Sequence, residues 1–440
     1  MIRNRFIRTV SLFLCLFTLF LLLSTVVLAD TPPSANNVDS FCVINAEYRK
    51  VINSLDMNRV VYPASTVKLM TALVAFDHFS ENLEKKIAVT KEMLSSVVGR
   101  NMGLEEGEKL SILDLLHAML CGGYNDAAII LAFASSGSIA EFCREMNEKA
   151  VALGAVATHY ENPTGLHHSE MVTTAYDTAL IGLATLENET LFQITKCLKY
   201  TIPATTRSDE RIVYNRNPLI STASANNYFD SNAEGMNSGA TDEAGDCVVT
   251  AGHWKGLSWV CVVMGGRPQS ADDDENYACI AAQRLLKHAL KGYEVKTLKT
   301  VKETVSTIPV RFSATEESVR VRLSKNLSAL LPSETDLDND ITFNISRNTD
   351  LMEAPIEEGT IVGRIQALYN GEVIDSADLI TADSIESHGF LVFMYRFKQV
   401  TQHPVFIVLL IVGLLWVAFL LWKKFFGKKK NKHRQRDRYF

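Results

Sequence analysis

The sequence predicts a mixed α/β or α+β domain, followed by a small all-β domain and one transmembrane helix. Three observations support this prediction. Helical and strand-like segments alternate up to about residue 295. Segments of alternating polar and apolar residues fill 296–390, and residues 405–422 are apolar without a single charge. The chain has 440 residues, which is too long for one ordinary domain.

The first 29 residues are typical of a secretory signal peptide. Three arginines within the first eight residues precede an apolar run from Val10 to Leu28, and small residues near Ala29 suit cleavage. The apolar run is long for such a peptide, so an uncleaved anchor is the alternative. Either interpretation sends the rest of the chain across a membrane.

The other end of the chain predicts a membrane anchor. At about 1.5 Å per residue, a helix over 405–422 spans roughly 27 Å, close to the thickness of a bilayer core. Nine basic residues and one acidic residue follow in 423–440, and such basic flanks stay in the cytoplasm. We therefore expect a single-pass cell-membrane protein with its catalytic part outside and its basic tail inside.

Charge limits the partners of the exported part. The whole chain carries a formal net charge of −6 although both of its ends are basic, so the part between them is strongly acidic. This balance argues against nucleic-acid binding. Contact of the tail with anionic lipid is possible in principle, but a stop-transfer signal explains the tail more simply.

Cysteine and histidine spacing indicates no metal site. Seven of the eight cysteines lie outside the leader, with no C-x-x-C pair. Cys247 and Cys261, on neighbouring predicted strands, are the one weak disulfide suggestion. The sequence has no H-E-x-x-H motif, and the adjacent His167 and His168 should point apart. We expect neither a metal nor a cofactor.

Residues 38–295 contain the predicted mixed domain. A strand and turn near 41–52 precede a helix that begins close to Ser65. Further helices are predicted over 113–120, from about 126, over 138–153 and over 173–186. From about Arg211 the spacing of apolar residues changes from a helical to a strand-like period. Two strands are predicted on either side of a turn at 253–256, and a last helix ends at Gly292.

Residues 296–390 form the predicted all-β domain. Its strands include the segments on either side of Asn370-Gly371, a dipeptide that favours a tight hairpin turn. We find no catalytic cluster there. The segment 389–404 is interpreted as a stem that enters the membrane.

Ser65 and Lys68 raise the central chemical question. They lie three positions apart and share a helix face, and the helix that follows Lys68 has no clear polar side. An apolar pocket disfavours the charged ammonium, so Lys68 can act as a base for the weakly nucleophilic Ser65 hydroxyl. The start of the helix also favours negative charge that develops at Ser65. An S-x-x-K sequence also occurs by chance, so this motif alone does not establish catalysis.

Several other segments resemble one family when they are taken in order. The S-x-x-K, S-D-N and K-T-G motifs mark serine β-lactamases and penicillin-binding proteins. The chain resembles the low-molecular-mass penicillin-binding proteins, the D-alanyl-D-alanine carboxypeptidases (peptidase S11-like), over nearly its whole exported part. The matching segments are PASTVKLMTAL (63–73), GEKLSILDLLHAMLCGGYNDAA (107–128), ENPTGLHH (161–168), TTAYDTALI (173–181), YNRNPL (214–219), EGMNSGATDEAG (234–245) and APIEEGTIVGRI (354–365).

The resemblance implies a fold, a reaction and residue roles. The fold would be that of the serine β-lactamases and transpeptidases, followed by the family's β domain. The enzyme would remove the terminal D-alanine from peptidoglycan stem peptides through an acyl-enzyme, and β-lactams would bind covalently. Ser65 would be the nucleophile, Lys68 its base and Asn125 a ligand of the substrate amide. The backbone N–H groups of Ser65 and Ala240 would form the oxyanion hole.

Two motif positions depart from the family pattern. In GYN, Gly123 takes the place of the serine that relays protons, and Tyr124 and Cys121 are the nearby side chains with an –OH or –SH group. In NSG, Asn237 takes the place of the lysine that steers the substrate carboxylate, while Ser238 and Gly239 remain suitable.

Arg216 is the candidate replacement for that lysine. Loss of a charged hydrogen bond costs about 1.5–3 kcal/mol. Arginine can hold a carboxylate through two parallel hydrogen bonds. A surface ion pair is the alternative interpretation of Arg216.

Three functions remain open from the sequence. The intact Ser65–Lys68 pair and Asn125 favour an active, membrane-anchored carboxypeptidase with impaired or altered specificity. Gly123 and Asn237 favour a non-catalytic member that binds wall peptide or a protein partner. A β-lactamase lacks a clear deacylating glutamate, since Glu161 belongs to the ENPTGL loop of the family.

Overall fold

The computed structural model describes residues 35–221, 228–270 and 272–426. The predicted signal peptide and the tail beyond residue 426 lie outside these ranges. The chain divides into two compact units. The first runs to Glu294 and includes Pro332–Glu334, and the second takes Val295–Leu331 and the residues from Thr335 onward.

The first unit contains a five-stranded antiparallel sheet and two short hairpins. Its strands are β1 (Ser40–Asn45), β2 (Val51–Leu55), β3 (Lys86–Ala88), β4 (Lys109–Ser111), β5 (Lys199–Ile202), β6 (Arg211–Tyr214), β7 (Glu234–Thr241), β8 (Gly245–Trp254) and β9 (Leu257–Gly266). The strand order in the sheet is β2-β1-β9-β8-β7, and the hairpins are β3–β4 and β5–β6. Its helices are α1 (Val67–Phe79), α2 (Lys91–Ser95), α3 (Ile112–Leu120), α4 (Asn125–Ser136), α5 (Ile139–Ala152), α6 (Ala175–Glu187), α7 (Glu189–Lys196) and α8 (Tyr277–Gly292).

Helices cover both faces of this sheet. On β8, Gly252 contacts Leu286 of α8, whereas Val249 contacts Gly182 of α6. Residues three apart on a strand point to opposite faces, so α8 and α6 lie on opposite sides. The predicted mixed domain of helices and strands is confirmed.

Helix α1 lies inside the helical layer and explains the missing polar face. Every residue from Val67 to Ala75 is buried, Lys68 included. The helix packs against α3, α4, α5 and α6. The predicted helix over 138–153 is also confirmed, because the Ser138 hydroxyl accepts the Glu141 N–H at the start of α5.

The second unit is mainly β structure. Its strands are β10 (Tyr293–Lys299, which begins in the first unit), β11 (Ser306–Arg311), β12 (Ser318–Leu323), β13 (Leu327–Pro332), β14 (Ile341–Arg347), β15 (Met352–Glu353), β16 (Ile361–Tyr369) and β17 (Glu372–Thr381). Six of them form a sheet in the order β14-β16-β17-β12-β11-β15. Asn370 and Gly371 connect β16 to β17 with φ values of +50° and +82°, as the predicted hairpin turn requires.

Two helices end the described chain. The predicted stem is helical as α9 (Gly389–Gln402), and α10 (Pro404–Phe426) follows. Helix α10 has 23 residues, a mean hydropathy of 3.0 over its most apolar window and no buried residue in that window. Its length and composition suit a membrane-spanning helix.

The suggested disulfide between Cys247 and Cys261 is wrong. Both cysteines lie on neighbouring strands, but Thr250 is the residue opposite Cys261, three positions from Cys247. All seven cysteines of the described residues are free thiols. Adjacency of strands could be read from the sequence, whereas their register could not.

Candidate active site

Ser65 lies at the entrance to α1. Residues Ala64–Thr66 form a single 3-10 turn that runs directly into the helix, and Ser65 is half-buried. A neighbouring loop presses on this turn, because a Cβ added to Gly165 would lie 2.1 Å from the carbonyl oxygen of Ala64. The backbone around the serine is therefore held from both sides.

The Lys68 side chain is buried directly behind Ser65. Its Nζ lies 3.0 Å from Ser65 Oγ and 2.6 Å from the carbonyl oxygen of Thr164, and the residue is 1% exposed. Burial, aided by the positive charge of Arg100, lowers the pKa of Lys68 to about 7. A substantial fraction of this amine is therefore neutral at neutral pH, with a lone pair that can accept the serine proton.

The Thr164 carbonyl is a partner that sequence reasoning missed. The side-chain oxygen of Asn162 accepts hydrogen bonds from the N–H groups of Thr164 and Gly165, at 3.1 and 2.9 Å. From α1, the Thr71 hydroxyl donates to the carbonyl of Pro163 at 2.7 Å. The ENPTGL loop thus aims one backbone oxygen at Lys68. The family segment was recognised, but a backbone contact has no signature in side-chain spacing.

Strand β7 forms the opposite wall of the site. A Cβ added to Gly239 would lie 2.4 Å from Ser65 Cβ and 3.0 Å from its hydroxyl oxygen. The strand therefore approaches the serine too closely for any side chain at this position. Ser238 and Ala240, on either side of Gly239, both line the cavity in front of Ser65.

Asn237 is buried at the start of this motif, with 4% of its surface exposed. It lies opposite Val249, and Gly239 lies two residues further along the regular part of β7. Alternate residues of a strand point to the same face, so Asn237 is on the side of β7 that faces the serine turn. Asn237 is not among the residues that line the cavity in front of Ser65, and it supplies no charge.

The second motif contributes an amide. Asn125 is the first residue of α4 and lines the cavity. Its side-chain N–H₂ donates to the carbonyl of Val98 at 2.9 Å, and its backbone N–H donates to the carbonyl of Arg100 at 2.7 Å. Gly123 also lines the cavity, with a φ of +71°, a conformation that suits glycine.

Neither Cys121 nor Tyr124, the two nearby candidates for the missing serine, lines the cavity. The Cys121 thiol donates to the carbonyl of Ile194 at 3.2 Å and is 1% exposed. The Tyr124 ring lies beneath the guanidinium of Arg100, 4.8 Å from ring centroid to Arg100 Cζ. Among the described residues, Ser65 and Ser238 therefore provide serine hydroxyls at the cavity, with Thr164 and Thr241 beside them.

Two arginines supply the positive charge of the cavity. Arg216 was expected there and lines it, and burial lowers the pKa of its guanidinium. Arg100 also lines it and donates from Nε to the carbonyl of Gly122 at 2.8 Å. Sequence reasoning missed Arg100, which belongs to no motif. With Asp246 as the acidic lining residue, the cavity favours an anionic ligand.

Six of the predicted residues line one cavity of about 400 Å³, whereas Asn237 does not line it and Lys68 is buried behind Ser65. Those that line it are Ser65, Asn125, Arg216, Ser238, Gly239 and Ala240. A larger cavity of about 590 Å³ lies elsewhere, beside Phe192, Lys196 and Glu234. We place the candidate active site in the smaller one, since it contains the serine with its buried base.

Metal-ligating atoms approach one another at one place in the described ranges. Atoms of Glu161, His168 and Glu170 lie within 4.8 Å of each other, and the last two residues are exposed. Oε1 of Glu161 also lies within hydrogen-bonding distance of His159 Nε2, at 2.7 Å. Acylation of a serine by the arrangement above uses no metal, and we assign this group no part in it.

Comparison with known proteins agrees with this geometry. A family model described as D-alanyl-D-alanine carboxypeptidase matches residues 27–268, and one described as the C-terminal domain of penicillin-binding protein 5 matches residues 293–387. The D-alanyl-D-alanine carboxypeptidase DacF of Bacillus subtilis is 27% identical over 369 residues, which are 83% of this chain and 90% of DacF. DacC of Escherichia coli is 26% identical over 407 residues, which are 88% of this chain and 94% of DacC.

A solved structure supports the fold. Penicillin-binding protein 5 of Haemophilus influenzae aligns with a TM-score of 0.60 at 20% identity, covering 81% of this chain and 99% of that one. The expected transpeptidase-type fold followed by a β domain is confirmed. The family match covers more than half of the chain. The chain therefore belongs to the D-alanyl-D-alanine carboxypeptidase family, the serine hydrolases that include the low-molecular-mass penicillin-binding proteins.

Proposed function

We propose that this protein is an active serine-type D-alanyl-D-alanine carboxypeptidase that trims peptidoglycan stem peptides. One observation carries the proposal: the buried Nζ of Lys68 lies 3.0 Å from the hydroxyl oxygen of Ser65. A purely structural lysine gains little from burial, which costs free energy when the ammonium is charged. A base for a serine nucleophile needs this environment.

The reaction begins with the transfer of the Ser65 proton to neutral Lys68. The hydroxyl oxygen attacks the carbonyl carbon of the penultimate D-alanine, and the oxyanion accepts hydrogen bonds from the N–H groups of Ser65 and Ala240. The C–N bond breaks, the terminal D-alanine leaves with a proton from Lys68, and an ester remains on Ser65. Water then hydrolyses the ester and restores the hydroxyl.

The close contact between β7 and the serine turn supports this oxyanion hole. Gly239 leaves no room for a side chain beside Ser65, so the Ala240 backbone can approach a carbonyl group bound at the serine. Asn125 has its amide nitrogen held by Val98. We assign the Asn125 carbonyl oxygen to the substrate N–H, which orients the peptide along β7.

Arg216 is our candidate for the substrate carboxylate, with Ser238 as a hydroxyl donor. It replaces the charge that Asn237 lacks, and Arg100 adds a second guanidinium on the same cavity. A bidentate arginine–carboxylate pair fixes orientation as well as affinity. The terminal carboxylate would then enter from the arginine side, with the scissile bond at Ser65.

The non-catalytic alternative rests on the second and third motifs. Gly123 supplies no hydroxyl for proton relay and Asn237 supplies no charge. A protein with this cavity could bind wall peptide or a partner without turning it over. We favour catalysis because the alternative gives no reason for the contact between Lys68 and Ser65.

The domain limits and membrane topology are part of the proposal. We assign 38–295 to the catalytic domain and 296–390 to the β domain, supported by the division near Glu294 and by the two family matches. Helix α10 supports a C-terminal anchor over 405–422. The basic residues of 423–440 support a cytoplasmic tail, with the catalytic domain outside.

Two assays on one set of variants test the proposal. Purified full-length protein in detergent is incubated with a labelled penicillin, and free D-alanine is measured after incubation with a D-Ala-D-Ala peptide. We expect adduct and product from the wild type and from Ser135→Ala, which changes a half-buried serine of α4 whose hydroxyl donates to the Leu131 carbonyl of the same helix. Neither should come from Ser65→Ala. If the wild type forms neither adduct nor product, the proposed catalysis is wrong and the non-catalytic binding function is favoured.

A further inference from the structure

Two cysteines end two packed helices behind the candidate active site. Cys121 follows the last residue of α3, Cys197 follows the last residue of α7, and the two helices are in contact. The Cys121 thiol and the Cys197 N–H both donate to the carbonyl of Ile194, at 3.2 and 3.1 Å. The Cys197 thiol donates to the carbonyl of Lys199 at 3.2 Å. Because both cysteines donate to the Ile194 carbonyl, their side chains are already neighbours in the reduced protein.

The pair is connected to the wall of the cavity. The carbonyl of Cys121 accepts the backbone N–H of Arg216 at 3.0 Å. The side chain of Asn215 donates to the carbonyl of Cys197 at 3.0 Å. On the other side, the carbonyl of Gly122 accepts Nε of Arg100 at 2.8 Å. Movement of either cysteine is thus passed directly to the segments that carry the two arginines.

The two thiols differ in reactivity. Cys197 is half-buried, and the neighbouring side chain of Cys121 lowers its pKa to about 6. Cys121 is buried, and the side chain of Cys197, together with burial, raises the pKa of the Cys121 thiol. A thiolate is the nucleophile in disulfide exchange. Cys197 is therefore suited to attack an incoming disulfide, and Cys121 to resolve the product.

We propose that Cys121 and Cys197 form a reversible disulfide that acts as a redox switch on the cavity. The oxidant is a disulfide, either of a small thiol or of an exported thiol oxidoreductase, in a compartment where disulfides persist. The Cys197 thiolate attacks one sulfur of the oxidant and releases one thiol. The Cys121 sulfur, losing its proton, then displaces the second thiol. Two electrons and two protons pass to the oxidant, and one S–S bond forms in the protein.

Bond formation draws the two sulfurs to bonding distance. We expect the backbone of Cys121 to shift with its sulfur, and the Arg216 N–H that donates to the Cys121 carbonyl to shift as well. A displacement of about 1 Å in a substrate-positioning group can cost about a hundredfold in rate. We expect oxidation to reduce D-alanine release at least about tenfold, mainly through KM. This functional part rests on the proposed carboxypeptidase activity.

The disulfide is tested without an activity assay. Full-length protein is incubated with oxidised or reduced glutathione, free thiols are alkylated, and peptides are mapped by mass spectrometry. We expect one peptide cross-linked between Cys121 and Cys197, lost on reduction. It should be absent from Cys197→Ser and retained in Cys143→Ser, which removes a cysteine buried elsewhere in the core. Glutathione that stays on Cys197 without a cross-link, or no modification of either cysteine, would overturn the proposal.

The effect on the cavity is measured on the same samples. Oxidised wild type should release D-alanine more slowly than reduced wild type, whereas Cys197→Ser should respond to neither reagent. A cross-linked protein with unchanged kinetics would overturn the switch. A cross-link in a protein that has no activity in either state would leave the disulfide established and count against the proposed function.

Discussion

Gly239 and Ser65 are packed so tightly that a Cβ on the glycine would lie 2.4 Å from the Cβ of the serine. This contact brings strand β7, and with it the Ala240 N–H, next to the nucleophile. The strand that carries the third motif therefore lies against Ser65, although the first residue of that motif is an asparagine.

Gly239→Ala should lower the penicillin acylation rate by about a hundredfold, because an added methyl group must push β7 away from Ser65. Stopped-flow or quench acylation assays measure the rate, and circular dichroism verifies the fold. Gly389→Ala, where an added Cβ meets nothing within 4 Å, is the control and should acylate normally. Wild-type acylation by Gly239→Ala would show that the contact plays no part in the chemistry.

Burial of Lys68 should make stability depend on pH in a predictable direction. Its pKa is about 7 in the folded protein and 10.5 ordinarily. Between these values the unfolded chain binds one more proton at this residue, so its contribution to stability improves as pH rises. Below pH 7 both states are protonated and the full cost of burying the ammonium remains.

Comparison with Lys68→Met isolates this contribution. The free energy of unfolding of the wild type should rise relative to that of the variant between pH 7 and 10, measured by denaturant titration of the exported part in the same buffers. Other titrating groups cancel in the difference. A difference between the two proteins that stays constant over this range would contradict a depressed lysine pKa.

Arg216 should bind the terminal carboxylate of the substrate. Arg216→Gln is expected to raise KM for a D-Ala-D-Ala peptide by roughly ten- to a hundredfold, the worth of a hydrogen bond to a charged group. The matched control is the same peptide with a C-terminal amide, which should be a poor substrate for both proteins. If the variant loses as much with the amide as with the acid, Arg216 has another role.

Helix α10 should anchor the protein by itself. Its apolar window has a mean hydropathy of 3.0, and a fully apolar span of this length inserts stably into a bilayer. The full chain should resist alkaline carbonate extraction from membranes, whereas a chain ending before Pro404 should be extracted. Resistance of the shortened chain would assign the attachment to another segment, with α9 as the first to examine.

Much of the fold follows from local pattern. The apolar stretch after Lys68, the capping Ser138 and the Asn370-Gly371 turn each specify an element through nearby residues, and each was found where expected. The register of β8 and β9 depends on long-range pairing instead, which is why the Cys247–Cys261 suggestion failed.

The residues of the candidate active site also fall into those that local motifs predict and those that depend on long-range packing. Ser65, Lys68, Asn125, Arg216 and Ser238 could be named because motif spacing carries their positions. The Thr164 carbonyl and Arg100 could not, since one is a backbone group and the other comes from a loop without a motif. The contact between Cys121 and Cys197 joins residues 76 positions apart, and only the packing of two helix ends brings them together.

The pH dependence of acylation tests the central claim most directly. The claim is that neutral Lys68 accepts the Ser65 proton. The rate of penicillin acylation by the wild type should therefore rise with pH, with an inflection at an apparent pKa of about 7 and a plateau at higher pH. Lys68→Arg keeps a positive side chain that does not deprotonate in this range and should acylate about 10²–10⁴ times more slowly, without that inflection. Equal rates for the two proteins, or a wild-type rate that is independent of pH between 5 and 9, would contradict the account.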